Sequence, residues 1–182
     1  MIQITVTPPA NMSYIIGQLQ RLPNGLTRAA KNAIGRTIRG SKQDARQKTS
    51  DRYITGGRIV SPTLKTRVKG LSGTLSSSGA RNPLEKFKIN PRKRINPAPP
   101  GGVYASVVKG QGGNIRRAFI QNSGGVYERV GKARFPIRRF KSVAAPQMVG
   151  YKPISQFIIQ KMEQRFEKNF AHAAQAIIGG YL

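Results

Sequence analysis

The spacing of hydrophobic residues changes along this chain, and each spacing predicts a different element. Residues 2–7, IQITVT, alternate Ile2, Ile4 and Val6 with Gln3, Thr5 and Thr7. That two-residue period is a half-buried strand, and Pro8-Pro9 ends it. Asn11 is placed to cap a short helix carrying Ile15, Ile16, Leu19 and Leu22. Pro23 interrupts the pattern and can open the next helix. Beyond it Leu26, Ala30, Ala33, Ile34, Thr37, Ile38, Ser41 and Ala45 recur at helical spacing and form one stripe. Arg28, Lys31, Arg36, Arg39, Lys42 and Arg46 take the other faces. Gly35 and Gly40 each cost this helix about 1 kcal/mol, but a stripe of small residues lets a neighbour approach closely.

The middle of the chain switches to shorter patterns. Thr55 is placed to cap a turn of helix over residues 56–60, which Pro62 terminates, and Leu64, Thr66 and Val68 then alternate as a strand. Residues 70–80 are rich in Gly and Ser, with Leu71 and Leu75 as the sizeable apolar side chains, and read as a weak strand or a loop. Phe87 and Ile89 make a short strand. Residues 90–102, NPRKRINPAPPGG, carry four prolines and three basic residues, which keeps them out of any sheet or helix interior. They form an ordered loop on the rim of the fold or an extended basic arm. Residues 103–108 and 118–121 are the best strands, with Gln111-Gly112-Gly113-Asn114 as the hairpin connection between them. Residues 126–129 and 134–140 follow as strands, and Pro136 makes the second an edge strand or an irregular one. Pro146 and Pro153 bracket a turn. A last helix then runs over 154–178, with Ile154, Phe157, Ile158, Met162, Phe166, Phe170, Ala173, Ala174, Ile177 and Ile178 on one face, and Gly179-Gly180 stops it.

This order predicts an α+β fold in which an antiparallel β-sheet packs against a long helix of the N-terminal half and a long C-terminal helix. The length suits a single domain over 1–182, with the basic loop or arm at about 90–102. A chain of 182 residues can bury a core without disulfides or metals, and it has no cysteine. Neither a signal peptide nor an apolar run of membrane-spanning length is visible, so a soluble protein made in the cytoplasm is expected, with no membrane partner.

Charge changes the picture most. There are 32 Lys/Arg against six Asp/Glu, a net charge of +26. Of these, 29 basic and four acidic residues lie between residues 21 and 152, a surplus of 25. A surface this positive repels copies of itself unless something acidic meets it: nucleic acid, or protein faces in a large assembly. The basic clusters of the middle are the contact candidates: Arg92-Lys93-Arg94, Arg116-Arg117, and the run Arg129, Lys132, Arg134, Arg138, Arg139, Lys141. Arginine's planar fork suits phosphate or carboxylate. Tyr104, Phe119, Tyr127, Phe135 and Phe140 interleave with these charges, and at strand spacing such aromatics read as core rather than as platforms for stacking bases.

Catalytic chemistry finds little to use. His172 is the single histidine and sits in the last helix, where a packing or surface role is the ordinary one. The six acids are scattered, with no spacing that suggests a metal site. The glycines at 110–113 and 124–125 lack the Gly-Lys-Ser/Thr that follows a phosphate-cradling loop and read as turns. No catalytic residue, cofactor or metal is expected.

The residues Ala118-Phe119-Ile120, Gly125-Val126-Tyr127-Glu128-Arg129-Val130-Gly131-Lys132-Ala133-Arg134-Phe135-Pro136-Ile137 and Ala145-Pro146-Gln147-Met148 form an unusual series. It resembles the end of the minor tail protein Z family of tailed bacteriophages, whose members carry AFI, then V-x-x-R-x-G-K-x-R-x-P-I, then P-x-V-P-Q before a C-terminal helix. The first strand, the Ala/Arg-rich helix with Asn32 and Thr37, Tyr53-Ile54-Thr55 with Ile59, and Leu84, Phe87 and Pro91 fit in order. The likeness thus spans nearly the whole chain and is sharpest over 118–148. Phe135 departs from the usual aliphatic residue, and Lys141-Ser142-Val143-Ala144-Ala145 replaces a Gly-Pro-Ser-like turn. The resemblance implies a non-enzymatic virion protein for tail completion, at the head-proximal end of the tail. Implied partners are the tail terminator, the head–tail joining or neck proteins and the tail tube, with phage DNA passing nearby. It also implies a homo-oligomeric ring, sixfold with the tail's symmetry. The other reading is a free-standing basic nucleic-acid-binding protein of ribosomal or nucleoid type.

Overall fold

The computed structural model describes residues 2–6, 17, 21, 24–97 and 99–180. The helix expected over residues 11–22, and Pro23 with it, falls largely outside them. In chain order the elements are β1 (Ile2–Val6), α1 (Gly25–Arg52), α2 (Gly56–Val60), β2 (Leu64–Lys69), β3 (Ser72–Ser77), β4 (Arg81–Pro83), β5 (Lys88–Asn90) and β6 (Val103–Ser106). There follow β7 (Gly113–Ile115), β8 (Ala118–Ile120), β9 (Val126–Arg129), β10 (Ile137–Arg139), β11 (Lys141–Ala144), α3 (Ala145–Val149) and α4 (Lys152–Ile178). The α+β class and the two long helices are as the sequence predicts. The β-structure is divided into four small antiparallel sheets.

The first half is built on α1 and α4, which run antiparallel. Arg36 reaches His172, Asn169 donates to Thr37 Oγ1 at 3.0 Å, Arg165 reaches Asp44, and Lys48 lies 4.7 Å from the Phe157 ring centroid. As positions rise on α1 they fall on α4. Ile154, Ile158, Met162, Phe166, Phe170 and Ala174 recur every four residues on α4 and are all buried. Burying side chains of this size stabilises by roughly 1.5–3 kcal/mol each. Opposite them α1 buries small residues: Ala29, Ala33, Thr37, Ser41, Ala45 and Thr49 form its own four-residue row. The buried hydroxyls stay satisfied, because Ser41 donates to the Ile38 carbonyl at 2.7 Å and Thr49 to that of Ala45 at 2.6 Å.

Close approach also explains two glycines. A Cβ on Gly40 would lie 2.6 Å from Arg165 Nη1, so Gly40 leaves the notch through which Arg165 crosses α1 to Asp44, one turn on. Gly73 sits where β3 meets α1: a Cβ there would lie 2.5 Å from both Ile34 Cγ2 and Ile38 Cγ1.

Residues 70–80, read from the sequence as a weak strand or loop, supply the middle strand of the first sheet, β1-β3-β2. β3 pairs along its whole length with β2 and over 73–77 with β1, for example Leu75 with Thr66 and with Ile4. Its hydrophobic signal is faint because the face towards α1, Gly73, Leu75 and Ser77, must be thin. Ser77 is buried and bonded to Thr63 Oγ1 at 2.9 Å.

Other expectations need correcting. Thr55 does precede α2, but it takes a left-handed conformation and makes no side-chain cap; its hydroxyl bonds the Lys86 carbonyl at 2.9 Å instead. Residues 103–108 and 118–121 are not two arms of one hairpin. β6 pairs with β5 and β7, whereas β8 pairs with β9, and Gly113–Ile115, which takes in the last two residues of the expected turn, is itself a strand. The region between Pro146 and Pro153 holds the short helix α3 and not a bare turn. Lys141–Ala144 is a strand paired with β4. β10 begins just after Pro136 and is an edge strand, in the order β10-β9-β8.

The second half contains β4 to β11 over a smaller core of Leu84, Ile89, Val103, Ala118, Ile120 and Val126. It is joined to the first at the end of α1. Ile54 N–H donates to the Val107 carbonyl at 2.9 Å, Lys109 N–H donates to that of Arg52 at 2.8 Å, and Tyr53 bridges Val108. The proline-rich segment is the connection between the paired strands β5 and β6, with Asn90 opposite Tyr104. It is therefore a long hairpin loop, closed by Gly102 N–H to the Pro99 carbonyl at 2.9 Å and tethered where Arg94 donates to Asn122 Oδ1 at 3.1 Å.

Candidate functional site

All eleven basic candidates are exposed, and all belong to the second half. Between residues 81 and 144 the sequence has fifteen Lys/Arg and two acids, Glu85 and Glu128. Both acids are consumed internally. Arg138 grips Glu128 from the neighbouring strand position, its Nε at 2.7 Å, since Arg138 and Glu128 stand opposite in the β9–β10 register. Arg139 pairs with Glu85, whose hydrogen bond and charge hold that guanidinium above its ordinary basicity. Arg138 and Arg139 are thus fastening residues, and the surrounding cations are left without a carboxylate partner among the described residues.

The other candidates separate by place. Arg116 and Arg117 form the turn between β7 and β8, and Lys141 opens β11. Arg92 belongs to a groove of about 810 Å³ between the two halves, edged by Arg58, Lys86 and Lys88. Lys93 lies beside it on the proline-rich loop. Lys132 and Arg134 lie on the β9–β10 hairpin loop, residues 130–136, whose base closes with Val130 N–H to the Pro136 carbonyl at 3.1 Å. That loop is stiffened from inside: Arg129 Nη1 donates to the Arg134 carbonyl at 2.9 Å.

Three of the eleven come together. Arg94, Arg129 and Arg134, from three separate segments, line one cleft of about 340 Å³ with Phe119, Phe135 and Asn122. Period-two alternation puts Phe119 and Arg129 there, and Arg94 and Arg134 reach the cleft from loops. On β8 and β9 Ala118, Ile120 and Val126 turn inward to the small core, which sends Phe119 and Tyr127 to the opposite, outer face. Phe119 and Tyr127 stand opposite in register with ring centroids 6.4 Å apart. The Arg129 guanidinium is 5.5 Å from the Phe119 centroid, and Arg139 is 6.0 Å from that of Tyr127.

The aromatics are where the sequence reading needs correction. None of Tyr104, Phe119, Tyr127, Phe135 and Phe140 is fully buried; Phe140 packs partly against the small core, and Phe135 is 64% exposed. The missed signal was the pairing of Phe119 with Arg129 and of Tyr127 with Arg139 at same-face strand positions, which an inward-facing core strand does not show. Val130 is also 62% exposed on the same loop.

His172 is an exposed residue of α4 whose Nδ1 lies 3.3 Å from Arg36 Nη1, a group that only donates. Among the described residues no group of three or more His, Cys, Asp or Glu side chains gathers at a metal-holding distance. No helix among them is long and apolar enough to cross a membrane. Compared with protein-family models, curated proteins and solved structures, the chain finds no match.

Proposed function

We propose that this protein is a structural, non-enzymatic component of a phage tail, acting in tail completion at the head-proximal end as one subunit of a ring. The observation that carries the reading is the β9–β10 loop: Val130 and Phe135 stand in water beside Lys132 and Arg134, with no carboxylate within the same half free to meet them. Large apolar side chains grouped with uncompensated charge on a braced loop are contact area for another molecule. The same loop carries the residues that resemble the tail protein Z family most closely, which supplies the identity of the companions: tail terminator, neck proteins and tail tube. In a ring each subunit would offer one surface to a different surface of the next. Repulsion favours α4 over α1 for that role, because exposed Glu163 and Glu167 offset part of the positive charge of α4, whereas α1 carries eight Lys/Arg against Asp44 and Asp51.

The test is deletion of the gene in the phage that encodes it. Tails that assemble but fail to join heads, restored by the wild-type chain and not by the Arg129→Ala/Lys132→Ala/Arg134→Ala variant, are the expected result. Infectious particles of normal yield that lack this chain would refute the reading.

A further inference from the structure

We infer that the cleft on the outer face of β8, β9 and the β9–β10 loop is a binding site for single-stranded nucleic acid, taking an unstacked base against Phe135 and Phe119 and its phosphates on Arg94, Arg129 and Arg134. This does not depend on the assembly reading, and it adds a ligand that the assembly reading does not name.

Three features select the occupant. The lining includes three guanidiniums and no carboxylate, so an anion is required. The rings are an unneeded expense for a phosphate or a carboxylate, yet they are what a base face uses, and every base has such a face. Phe119 is half-buried on a flat sheet face under Arg129, and Phe135 projects from the loop with Arg134 5.8 Å from its centroid. Aromatic rings and guanidiniums from three segments line one cleft, which combines the stacking and charge that hold a single strand. A duplex keeps its bases stacked and out of reach of these rings, so it would meet the arginines alone. The volume, about 340 Å³, is at the small end of ligand clefts, which run roughly 300–1,000 Å³. Asn122 adds polar selectivity: its Oδ1 is held by Arg94, which leaves its amide group for a base edge.

An acidic peptide is the competing occupant, and the experiment separates the two. Fluorescence anisotropy on the full chain measures binding of labelled oligothymidine, oligouridine, an abasic strand of equal length, the matched duplex and polyglutamate across a salt series. Phe135→Ala should weaken one or both base-bearing single strands by about fivefold or more, as loss of one base–aromatic stack does. It should leave the abasic strand and the duplex unchanged. Arg134→Ala keeps the backbone carbonyl that Arg129 uses; it should weaken all strands and reduce the single-strand salt slope by about 0.7. Phe119→Leu, which keeps apolar bulk beneath Arg129, should repeat the Phe135→Ala pattern. Equal affinity of wild type and Phe135→Ala for both base-bearing strands overturns the inference. So does an abasic strand or polyglutamate that binds as tightly as oligothymidine.

Discussion

The two halves of this molecule differ in how they hold themselves together. Among the described residues, 24 buried apolar side chains make the core around the helical half, with Phe87 contributed from the β-rich half, and six make the β-rich half's own core. The helical half closes on itself through long rows of packed side chains. The β-rich half has three short sheets, long loops and two acids for fifteen cations, and it relies on those acids as clasps. One half is held by an extensive packed core, and the other has a small core under a strongly cationic surface. A region with so little core beneath it can open locally without unfolding the whole.

The largest effect should come from the first half. Phe166→Ala removes a buried ring stacked 5.8 Å from Phe170, and should cost about 3–5 kcal/mol in urea unfolding followed by circular dichroism. Ile120→Ala in the small core should cost about 2–4 kcal/mol locally. Hydrogen exchange should then speed up in β8 and β9 while α1 and α4 keep their protection. Equal acceleration in both halves would show one cooperative unit and break the comparison. Gly73→Ala should destabilise by about 1–3 kcal/mol through overpacking against Ile34 and Ile38, read as a lower thermal midpoint. Arg129→Ala/Lys132→Ala/Arg134→Ala should be smallest, within about 1 kcal/mol, because these side chains are solvated. A large loss there would assign them to internal bracing and remove them from the contact surface.

The two long helices were legible because each repeats an apolar face over many turns. β3 was not, since its middle position in the sheet is combined with a helix too near to admit large side chains, and Gly73 and Ser77 carry no hydrophobic signal. Gly113 and Asn114 read as part of a turn because their strand character comes from pairing with β6. At the site, sequence order picked out the cations but not which of them are spoken for. Arg139 meets Glu85 across 54 positions, and no local pattern announces that. The convergence of Arg94 with Arg129 and Arg134 likewise depends on the β5–β6 loop folding back to Asn122.

The joint at residues 52–54 has a mechanical consequence. Arg52, Tyr53 and Ile54 are knitted to Val107, Val108 and Lys109 by backbone bonds, and the Arg52 guanidinium lies 3.9 Å from the Tyr151 ring centroid just ahead of α4. A tug on the loops of the β-rich half therefore enters both long helices at one end. A helix of 28 residues is a rod of about 42 Å, so α1 acts as a lever that delivers the pull to its distant tip.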